Sequence, residues 1–360
     1  MRLPFREMLS EDIIGFSEVD DIQDFLNQDI SLVEEDIECV DDSQFKESKF
    51  RPEEVIFFDG TARLDYLART KSSVIGFMTF ALGHVRACLG KPIELSKSAK
   101  FKIVRKVIIP QNILKSNNLD YNKIIFSKEV AYDICKYPTN IPRVSDLWND
   151  VVLSEIMPDL ELHYVEDNIL EPHYVGDKII KTLVNGTILV KDGRIDKLFS
   201  PKRSIFGHVE TFDIPKRSIF GHVKTFNIPK RILDDPNLRE GGLRSRVYKL
   251  RGNNSYNVYS CYINLNSSRR SRLIKGGVFS YSRVDIASER VDDDLVDRFN
   301  FISKYLVELT SVFSDSARFP QNIPIVERLE NFLRKLSGDR SIIKHIIAEK
   351  ISLNEVIDFS

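Results

Sequence analysis

The amino-acid sequence predicts an α/β protein in which a mixed β-sheet is flanked by helices. Apolar, β-rich segments recur between residues 54 and 109 and again between residues 244 and 285. Residues 291–357 instead carry their apolar side chains at helical spacing. Strands mixed with helices and a helical end are typical of this class. A chain of 360 residues with 42% hydrophobic residues can bury a sizeable core, which excludes a disordered protein or a small disulfide-stapled one.

The net charge of −1 conceals an acidic head and a basic body. Residues 1–50 carry 15 acidic and 4 basic side chains, whereas residues 201–290 carry 18 Lys or Arg and 7 Asp or Glu. We interpret residues 1–50 as an acidic extension, in which residues 9–48 form a helical segment followed by a loose acidic stretch, and residues 51–360 as the folded domain. The extension is either a solvated tail or a segment that docks on a partner or covers the basic body.

The sequence predicts a cytoplasmic protein with reduced thiols. The first residues contain no apolar signal-peptide core, and no run reaches the roughly 18 apolar residues that a membrane-spanning helix needs. The four cysteines lie far apart with no CxxC spacing for zinc or redox chemistry. They are Cys39, Cys88, Cys135 and Cys261.

Hydrophobic periodicity places the individual elements. It predicts strands at residues 54–58, 62–69, 74–88, 101–109, 246–250, 256–265 and 277–286. It predicts helices at residues 122–136, 145–165, 295–313, 326–336 and 342–351. The last three helices form the helical C-terminal region of the predicted fold.

Residues 201–214 and 215–228 are near-copies of each other. They read PKRSIFGHVETFDI and PKRSIFGHVKTFNI and agree at 12 of 14 positions. A repeat architecture normally needs three or more units of roughly 20–50 residues, so we interpret the pair as a tandem duplication within the domain. One copy can be accommodated in a surface loop. The second copy is the more basic, because it carries Lys224 where the first carries Glu210.

Asp59-Gly60-Thr61 is the first candidate for chemistry. A carboxylate at the end of a buried strand suits a divalent cation such as Mg²⁺ or Mn²⁺, because hard cations prefer oxygen ligands. The same Asp-Gly pair between two alternating segments is also the sequence of a hairpin turn, and both interpretations stand at this stage. Asn185-Gly186-Thr187 repeats the pattern with an amide, which can coordinate a cation but cannot neutralise it.

A third candidate carboxylate, Glu161, lies on or at the end of a predicted helix, with Glu155 one and a half turns earlier. Each is either a solvated helix residue or a metal ligand. The six histidines form no HxxxH or HxH pair, which gives a zinc hydrolase little support. The chain also lacks the GxxxxGK[ST] loop of P-loop ATPases and the GxSxG elbow of α/β-hydrolases.

Aromatic residues are interleaved with the basic residues of segment 201–290. They are Phe206, Phe212, Phe220, Phe226, Tyr248, Tyr256, Tyr259 and Tyr262. Lys and Arg can follow phosphates while rings stack on bases, which suits single-stranded or frayed nucleic acid. The alternative is an ordinary sheet with a basic outer face.

Six segments are informative through their order along the chain. They are Ile56–Asp65, Met157–Glu161, Leu183–Leu189, Gly221–Thr225, Tyr256–Leu265 with Gly276–Ile286, and Phe319–Ile325 running into Leu329-Glu330. In this order they resemble the NurA family of DNA-end-processing nucleases, over roughly residues 50–350. The resemblance implies an RNase H-like core close to the PIWI nuclease domain. It also implies Mn²⁺ (or Mg²⁺) as cofactor, DNA ends as substrate, a homodimer, and a HerA-type hexameric ATPase as partner.

The resemblance assigns roles to individual residues. Asp59 matches the first metal-binding carboxylate, and Glu161 matches the helical one, with Glu155 as the alternative. Lys224 matches the lysine of the family's G-x-V-K-T strand, where it would face a phosphate. Asn185 stands where the family has an aspartate.

Two further positions of the family pattern fall late in the chain. Arg283 and Asp285 lie in the strand that usually reads Arg-x-Glu. The C-terminal region lacks the family's usual histidine, and Glu327 lies near that place.

Three functions remain open from the sequence. The first is a Mn²⁺-dependent deoxyribonuclease with Asp59, Glu161 and Asn185 at the metal and Lys224 at the phosphate. The second is a NurA-like protein that binds DNA or the ATPase without cutting, because an asparagine cannot offset the charge of a second ion. The third is an interaction module in which the acidic head and the basic body pair with each other.

Overall fold

The computed structural model describes about half of the chain. The described residues are 2–4, 13–16, 37–41, 46–52, 54–71, 74–88, 99–114, 123–137, 187–192, 219–224, 228–250, 257–266, 280–288, 290–310, 321, 323–352 and 356–358. Within these ranges the chain is mixed α/β: one large mixed sheet of fourteen strands with a helical C-terminal region. None of the helices in this part of the chain is long and apolar enough to cross a membrane.

The strands and helices are labelled in chain order. The strands are β1 Arg2–Pro4, β2 Ile13–Phe16, β3 Ile37–Asp41, β4 Glu54–Thr70, β5 Val74–Cys88, β6 Ala99–Pro110, β7 Lys123–Ile125, β8 Ala131–Tyr137, β9 Thr187–Asp192, β10 Ile219–Val223, β11 Val247–Leu250, β12 Asn257–Asn264, β13 Tyr281–Ser288 and β14 Val356–Asp358. The helices are α1 Lys230–Leu233, α2 Asp293–Leu309, α3 Pro324–Leu336 and α4 Arg340–Ser352, with short 3₁₀ turns at Gln111–Ile113 and Pro236–Leu238.

The middle of the sheet combines an antiparallel meander with parallel strands. Strands β4, β5 and β6 pair antiparallel in succession, as sequential strands joined by short connections commonly do. On the other side of β4, strand β9 pairs in parallel with the first five residues of β4. Strand β10 in turn pairs in parallel with β9. Strands β13, β12, β11 and β3 continue the sheet antiparallel beyond β10. The order β6-β5-β4-β9-β10 is the frame that positions the candidate site.

Helices α2, α3 and α4 cover one face of this sheet. Alternate residues of β4, β5, β9, β10, β12 and β13 form a buried apolar cluster with α2 and α3. A second cluster joins the far ends of β4, β5 and β6 with β7, β8 and α4. An extra residue in β4, Asp65, separates the clusters as a β-bulge: Leu64 pairs with Met78, whereas Tyr66 pairs with the adjacent Phe77. The bulge keeps Tyr66 on the helix-covered face even though the strand's alternation shifts there.

The helix predicted at residues 122–136 is wrong, because this segment forms β7 and β8. A turn separates the two strands: the Ser127 Oγ accepts hydrogen bonds from the backbone N–H groups of Glu129 and Val130 at 3.3 and 3.1 Å. Strand β8 then pairs with both β6 and β7. These ladder bonds override the helical spacing of the apolar residues, as tertiary pairing commonly does. The helix predicted at residues 145–165 lies outside the described residues.

The helical interpretation of residues 9–48 is also wrong where the structure describes that segment. Strand β2 pairs with the end of β4, which β9 leaves unpaired, and β3 pairs with β11 at the edge of the sheet. Both are short strands that satisfy backbone groups which the central strands would otherwise expose. The remaining predicted strands and the three C-terminal helices are confirmed, with ends that differ by a few residues.

Candidate functional site

Asp59 lies inside a strand and not at a turn. Strand β4 runs through Asp59-Gly60-Thr61 for 17 residues, so the hairpin interpretation of this sequence is wrong. The Asp59 side chain is buried, with 7% of its surface exposed. Its position follows Phe58, which forms the last registered pair with the parallel strand β9. Asp59 therefore lies where its parallel neighbour ends, which is the position in open α/β sheets that commonly holds ligands.

The last residue of β9, Asp192, lies beside Asp59. The register pairs Phe58 with Lys191, so Asp59 and Asp192 occupy the next position on neighbouring strands, which are about 4.8 Å apart. On the far side of β9, Asp192 pairs with His222 of β10. Register partners point to the same face of a sheet. Asp59, Asp192 and His222, which we call the site row, therefore share the face that α2 and α3 cover.

Lys224 completes this group from the end of β10. Its ammonium donates a hydrogen bond to Asp192 Oδ2 at 2.9 Å, while His222 Nδ1 lies 3.8 Å from Asp192 Oδ1. Lys224 follows His222 by two residues, a spacing that returns to the same face of the sheet. Lys224, which the sequence analysis named as a site candidate, directly follows the last residue of β10. The second copy of the duplication thus forms β10, and the first copy lies outside the described residues.

The charges in the site row shift one another's pKa values in opposite directions. Burial raises the pKa of Asp59 well above its ordinary value, and the charges of Asp192 and Glu330 raise it further. Burial also raises the pKa of Asp192, but the charge of Lys224 and the contact with His222 outweigh it and hold that pKa well below the usual range. Burial lowers the pKa of Lys224, yet the pKa is raised overall because Asp192 and Asp59 are so close.

The site row contains buried polar atoms that have no hydrogen-bond partner among the described residues. They are Asp59 Oδ2 and both ring nitrogens of His222. Such atoms are rare because each loses its hydration without compensation, so they frequently mark functional sites. A divalent cation at Asp59 Oδ2 would supply the missing partner and offset the repulsion from Asp192, so these two carboxylates fit a hard cation. No group of three or more His, Cys, Asp or Glu residues in the described part of the chain could hold a metal ion on its own, so the pair is an incomplete ligand set.

Helix α3 brings a further carboxylate toward Asp59. The helix packs over β4, β5 and β6, and the charge of Glu330 contributes to the raised pKa of Asp59. Glu330 Oε1 also accepts a hydrogen bond from Arg334 at 2.6 Å. The sequence placed Glu327 near this part of the family pattern. The structure has Glu327 in the first turn of α3, and Glu330, about one turn later, is the residue whose charge reaches Asp59.

Two arginines hold the C-terminal end of α3. The Arg63 guanidinium donates hydrogen bonds to the carbonyl oxygens of Gly338 and Ser337 at 2.7 and 3.0 Å, and Arg105 donates to that of Ser337 at 3.3 Å. Gly338 has φ +83°, the left-handed conformation in which many helices end. Cations at this end of a helix also interact favourably with its dipole. The position of α3, and therefore of Glu330, thus depends on Arg63.

Arg63 is itself fixed by the buried carboxylate of Asp65. Asp65 Oδ1 accepts a hydrogen bond from Arg63 Nε at 2.8 Å, and Asp65 Oδ2 accepts hydrogen bonds from the hydroxyls of Tyr132, at 2.8 Å, and Thr79. We call these four residues the bulge network. Burial and the Asp65 charge both raise the pKa of Tyr132, so its hydroxyl stays protonated and donates.

Arg283 and Asp285 lie on the other face of the sheet. Arg283 Nε and one terminal nitrogen donate to the two carboxylate oxygens of Asp285 at 2.8 and 3.1 Å, and the Ser260 hydroxyl donates to the same carboxylate at 2.6 Å. Between them, Val284 pairs with His222 and belongs to the cluster under α2 and α3. Alternation along the strand therefore keeps this ion pair apart from the site row.

Three of the predicted site residues cannot be placed. Glu161, Glu155 and Asn185 lie outside the described residues. Strand β9 begins at Thr187 and presents Asp192, at its other end, beside Asp59.

The sequence analysis missed Asp192, His222 and Glu330. A signal for Asp192 was present, because Lys191-Asp192-Gly193 follows an apolar run just as Phe58-Asp59-Gly60 does.

No protein-family model matches the chain, and no curated protein matches it.

Proposed function

We propose that this protein is a divalent-metal-dependent nuclease that processes DNA ends, as the resemblance to the NurA family implies. The observation that carries the proposal is the juxtaposition of Asp59 and Asp192 on neighbouring parallel strands, with the Lys224 ammonium 2.9 Å from Asp192. Paired carboxylates at the ends of parallel strands suit the positioning of a hard cation, and a nearby lysine suits a phosphate.

The strand order supports an RNase H-like core. In such a core a meander of three antiparallel strands is followed by two strands that add in parallel beside the first. Strands β4, β5 and β6 form such a meander, and β9 and β10 add to β4 in parallel. Asp59 lies on the first of these five strands, and Asp192 lies at the end of the fourth.

Each residue of the site has a role in the proposed reaction. Asp59 and Asp192 would hold Mn²⁺ or Mg²⁺, and Glu161 would complete the ligand set as the resemblance implies. Such a metal stabilises negative charge on the phosphoryl group and lowers the pKa of water. Asp192 supplies the second negative charge that Asn185 lacks. Lys224 orients the scissile phosphate, and the apolar cover of α2 and α3 limits competing water at the site.

The proposed partners follow from the resemblance. They are a second copy of the chain, DNA ends, and a HerA-type hexameric ATPase that would feed DNA to the nuclease. The 18 basic residues between positions 201 and 290 are consistent with phosphate binding.

A cleavage assay tests the proposal. Purified protein should degrade linear DNA with Mn²⁺, and Asp59→Asn and Asp192→Asn should each reduce the rate at least about 100-fold, since each removes a charge that offsets the cation. Asp133→Asn is the matched control, because this carboxylate is 45% exposed and accepts a hydrogen bond from Lys106 at 3.4 Å, away from the site row. Equal rates for Asp59→Asn and the control would refute the assignment.

A second candidate is a NurA-like protein that binds DNA without cutting it. The observation that favours it is the ion pair between Lys224 and Asp192, because an ammonium at this carboxylate can take the place of a metal ion. This candidate predicts that the wild-type protein binds DNA but is inert with Mn²⁺. Robust cleavage by the wild-type protein would eliminate it.

A further inference from the structure

Two phenylalanines are exposed beside the site. Phe101 of β6 and Phe332 of α3 are 46% and 38% exposed, whereas most large apolar side chains of the described residues are buried. Their ring centroids lie 5.5 Å apart with the rings nearly perpendicular. We call this pair the aromatic platform. Two apolar rings in contact at the surface leave apolar area exposed to water, and such exposed apolar patches commonly mark sites that bind a ligand or a partner.

The platform lies on the same face of the sheet as the site row. Asp59 pairs with Gly83 of β5, and Gly83 pairs with Phe101 of β6. Phe101 is therefore two strands from Asp59, a distance of about 10 Å, with no side chain on the intervening Gly83. Stacked nucleotides advance about 3.4 Å each, so a strand with its phosphate at Asp59 can reach the platform within about three nucleotides.

The exposed side of α3 carries positive charge next to the platform. Arg328, Asn331, Phe332 and Lys335 are all exposed and recur at the spacing of one helix face. Neither Arg328 nor Lys335 forms an ion pair with another described residue. A surface that combines cations with aromatic rings has the composition of sites that bind single strands of nucleic acid.

We propose that the platform binds the unpaired strand of a DNA end, with a base stacked on Phe101 and Phe332 and phosphates near Arg328 and Lys335. This inference rests on the proposed nuclease function and specifies its substrate as an end with unpaired bases. The alternative occupant is a second copy of the chain. In a two-fold interface the same patch meets itself, which would bring Arg328 and Lys335 against like charges, so the charges favour a nucleic-acid strand.

Metal-free protein is used for the test, so that binding is measured without cleavage. Fluorescence anisotropy gives the affinity of the full chain for a labelled oligothymidine of about 12 nucleotides and for an abasic strand of the same length. Stacking predicts that the wild-type protein binds oligothymidine at least about fivefold more tightly. The double variant F101A/F332A should lose this preference, and Phe→Trp at both positions should retain it. Leu233→Ala is the control, because Leu233 is a comparably exposed apolar residue, 45%, on α1.

A second measurement does not depend on the two phenylalanines. The variant R328Q/K335Q should reduce the slope of log affinity against log salt by roughly 1.4, because each phosphate contact to a single strand contributes roughly 0.7.

Several results would overturn the inference. They are equal wild-type affinity for the two strands, an unchanged preference in F101A/F332A, an unchanged salt slope, or a shift from dimer to monomer in F101A/F332A with DNA binding intact. Failure of the nuclease function has a different signature, namely no cleavage with Mn²⁺ while the preference for bases persists.

Discussion

Strand β4 carries two buried aspartates, Asp59 and Asp65, in opposite situations. Asp65 accepts hydrogen bonds on both oxygens, from Arg63, Thr79 and Tyr132. Within the described part of the chain, Asp59 accepts one hydrogen bond, from the Gly60 backbone N–H at 2.8 Å, and its second oxygen has no partner there. A satisfied buried charge specifies structure, whereas a buried charge that the fold leaves unsatisfied is typical of a functional site. The same residue type on one strand therefore serves the fold at one position and the site at the other.

The largest effect on stability is expected at Asp65. Asp65→Ala should lower the free energy of unfolding by about 3–5 kcal/mol, because it leaves the Arg63 charge and two buried hydroxyls without their acceptor. Urea denaturation measures the change, with Asp133→Ala as the exposed control, expected within about 0.5 kcal/mol of wild type. A loss at Asp65 no greater than that of the control would remove the structural role of the bulge network.

Substitution of Asp192 should also lower the free energy of unfolding, but by less than substitution of Asp65. Asp192→Asn should cost about 2 kcal/mol at neutral pH, because it leaves the Lys224 ammonium half-buried without its anion. The pKa of Asp192 is depressed in the folded state, so its stabilisation is present above the ordinary value near 3.8 and is lost as the pH falls through the lowered pKa. Wild type and variant should therefore converge in acid. A constant difference down to about pH 2 would contradict this account.

Asp59→Asn should instead raise the free energy of unfolding. The raised pKa of Asp59 means that its contribution to stability is fully present below about 3.8 and is lost as the pH rises through the raised pKa. The asparagine cannot ionise. The free energy of unfolding of metal-free Asp59→Asn should therefore exceed that of the wild type by about 1 kcal/mol at about pH 8 and equal it near pH 4. Thermal unfolding at the two pH values measures the difference. A variant less stable than wild type at the higher pH would show that the ionised carboxylate stabilises the fold.

The last prediction concerns the pH dependence of Mn²⁺ binding, an effect on affinity and not on stability. A cation at Asp59 must displace the proton that its raised pKa retains, so the affinity for Mn²⁺ should rise roughly tenfold per pH unit below that pKa and level off above it. Isothermal titration calorimetry in buffers of different ionisation enthalpy would also detect the released proton. Binding without proton release at the lower pH would place the ion elsewhere.

Much of the fold was predictable because its long elements have strong local patterns. The alternation of β4, the apolar run of β5 and the helical spacing of α2, α3 and α4 each identify the element without tertiary information. Strand β8 was missed because the backbone hydrogen bonds that define it come from two other strands. It pairs parallel with β6, about 20 residues earlier in the chain, and antiparallel with β7. The short strands β2 and β3 depend likewise on edges supplied by other parts of the chain.

The candidate site was predictable only in part. Asp59 and Lys224 stood out through their local sequence, but the neighbour of Asp59 is set by the parallel register of β4 and β9. No spacing rule in the sequence fixes that register, so Asp192 was passed over. Asn185 was assigned from the family pattern and lies outside the described residues. Glu330 depends in addition on the placement of α3, which follows from its apolar packing on the sheet and from the Arg63 hydrogen bonds at its C-terminal end.

The central claim is that Asp59 and Asp192 form a cation site, and a crystal grown with Mn²⁺ tests it most directly. Anomalous scattering should locate an ion in contact with the unsatisfied Asp59 oxygen and with Asp192, and Lys224 should have moved off the carboxylate or share it with the ion. Diffraction that shows no ion at these two residues, with the Lys224–Asp192 pair unchanged at saturating Mn²⁺, would contradict the account.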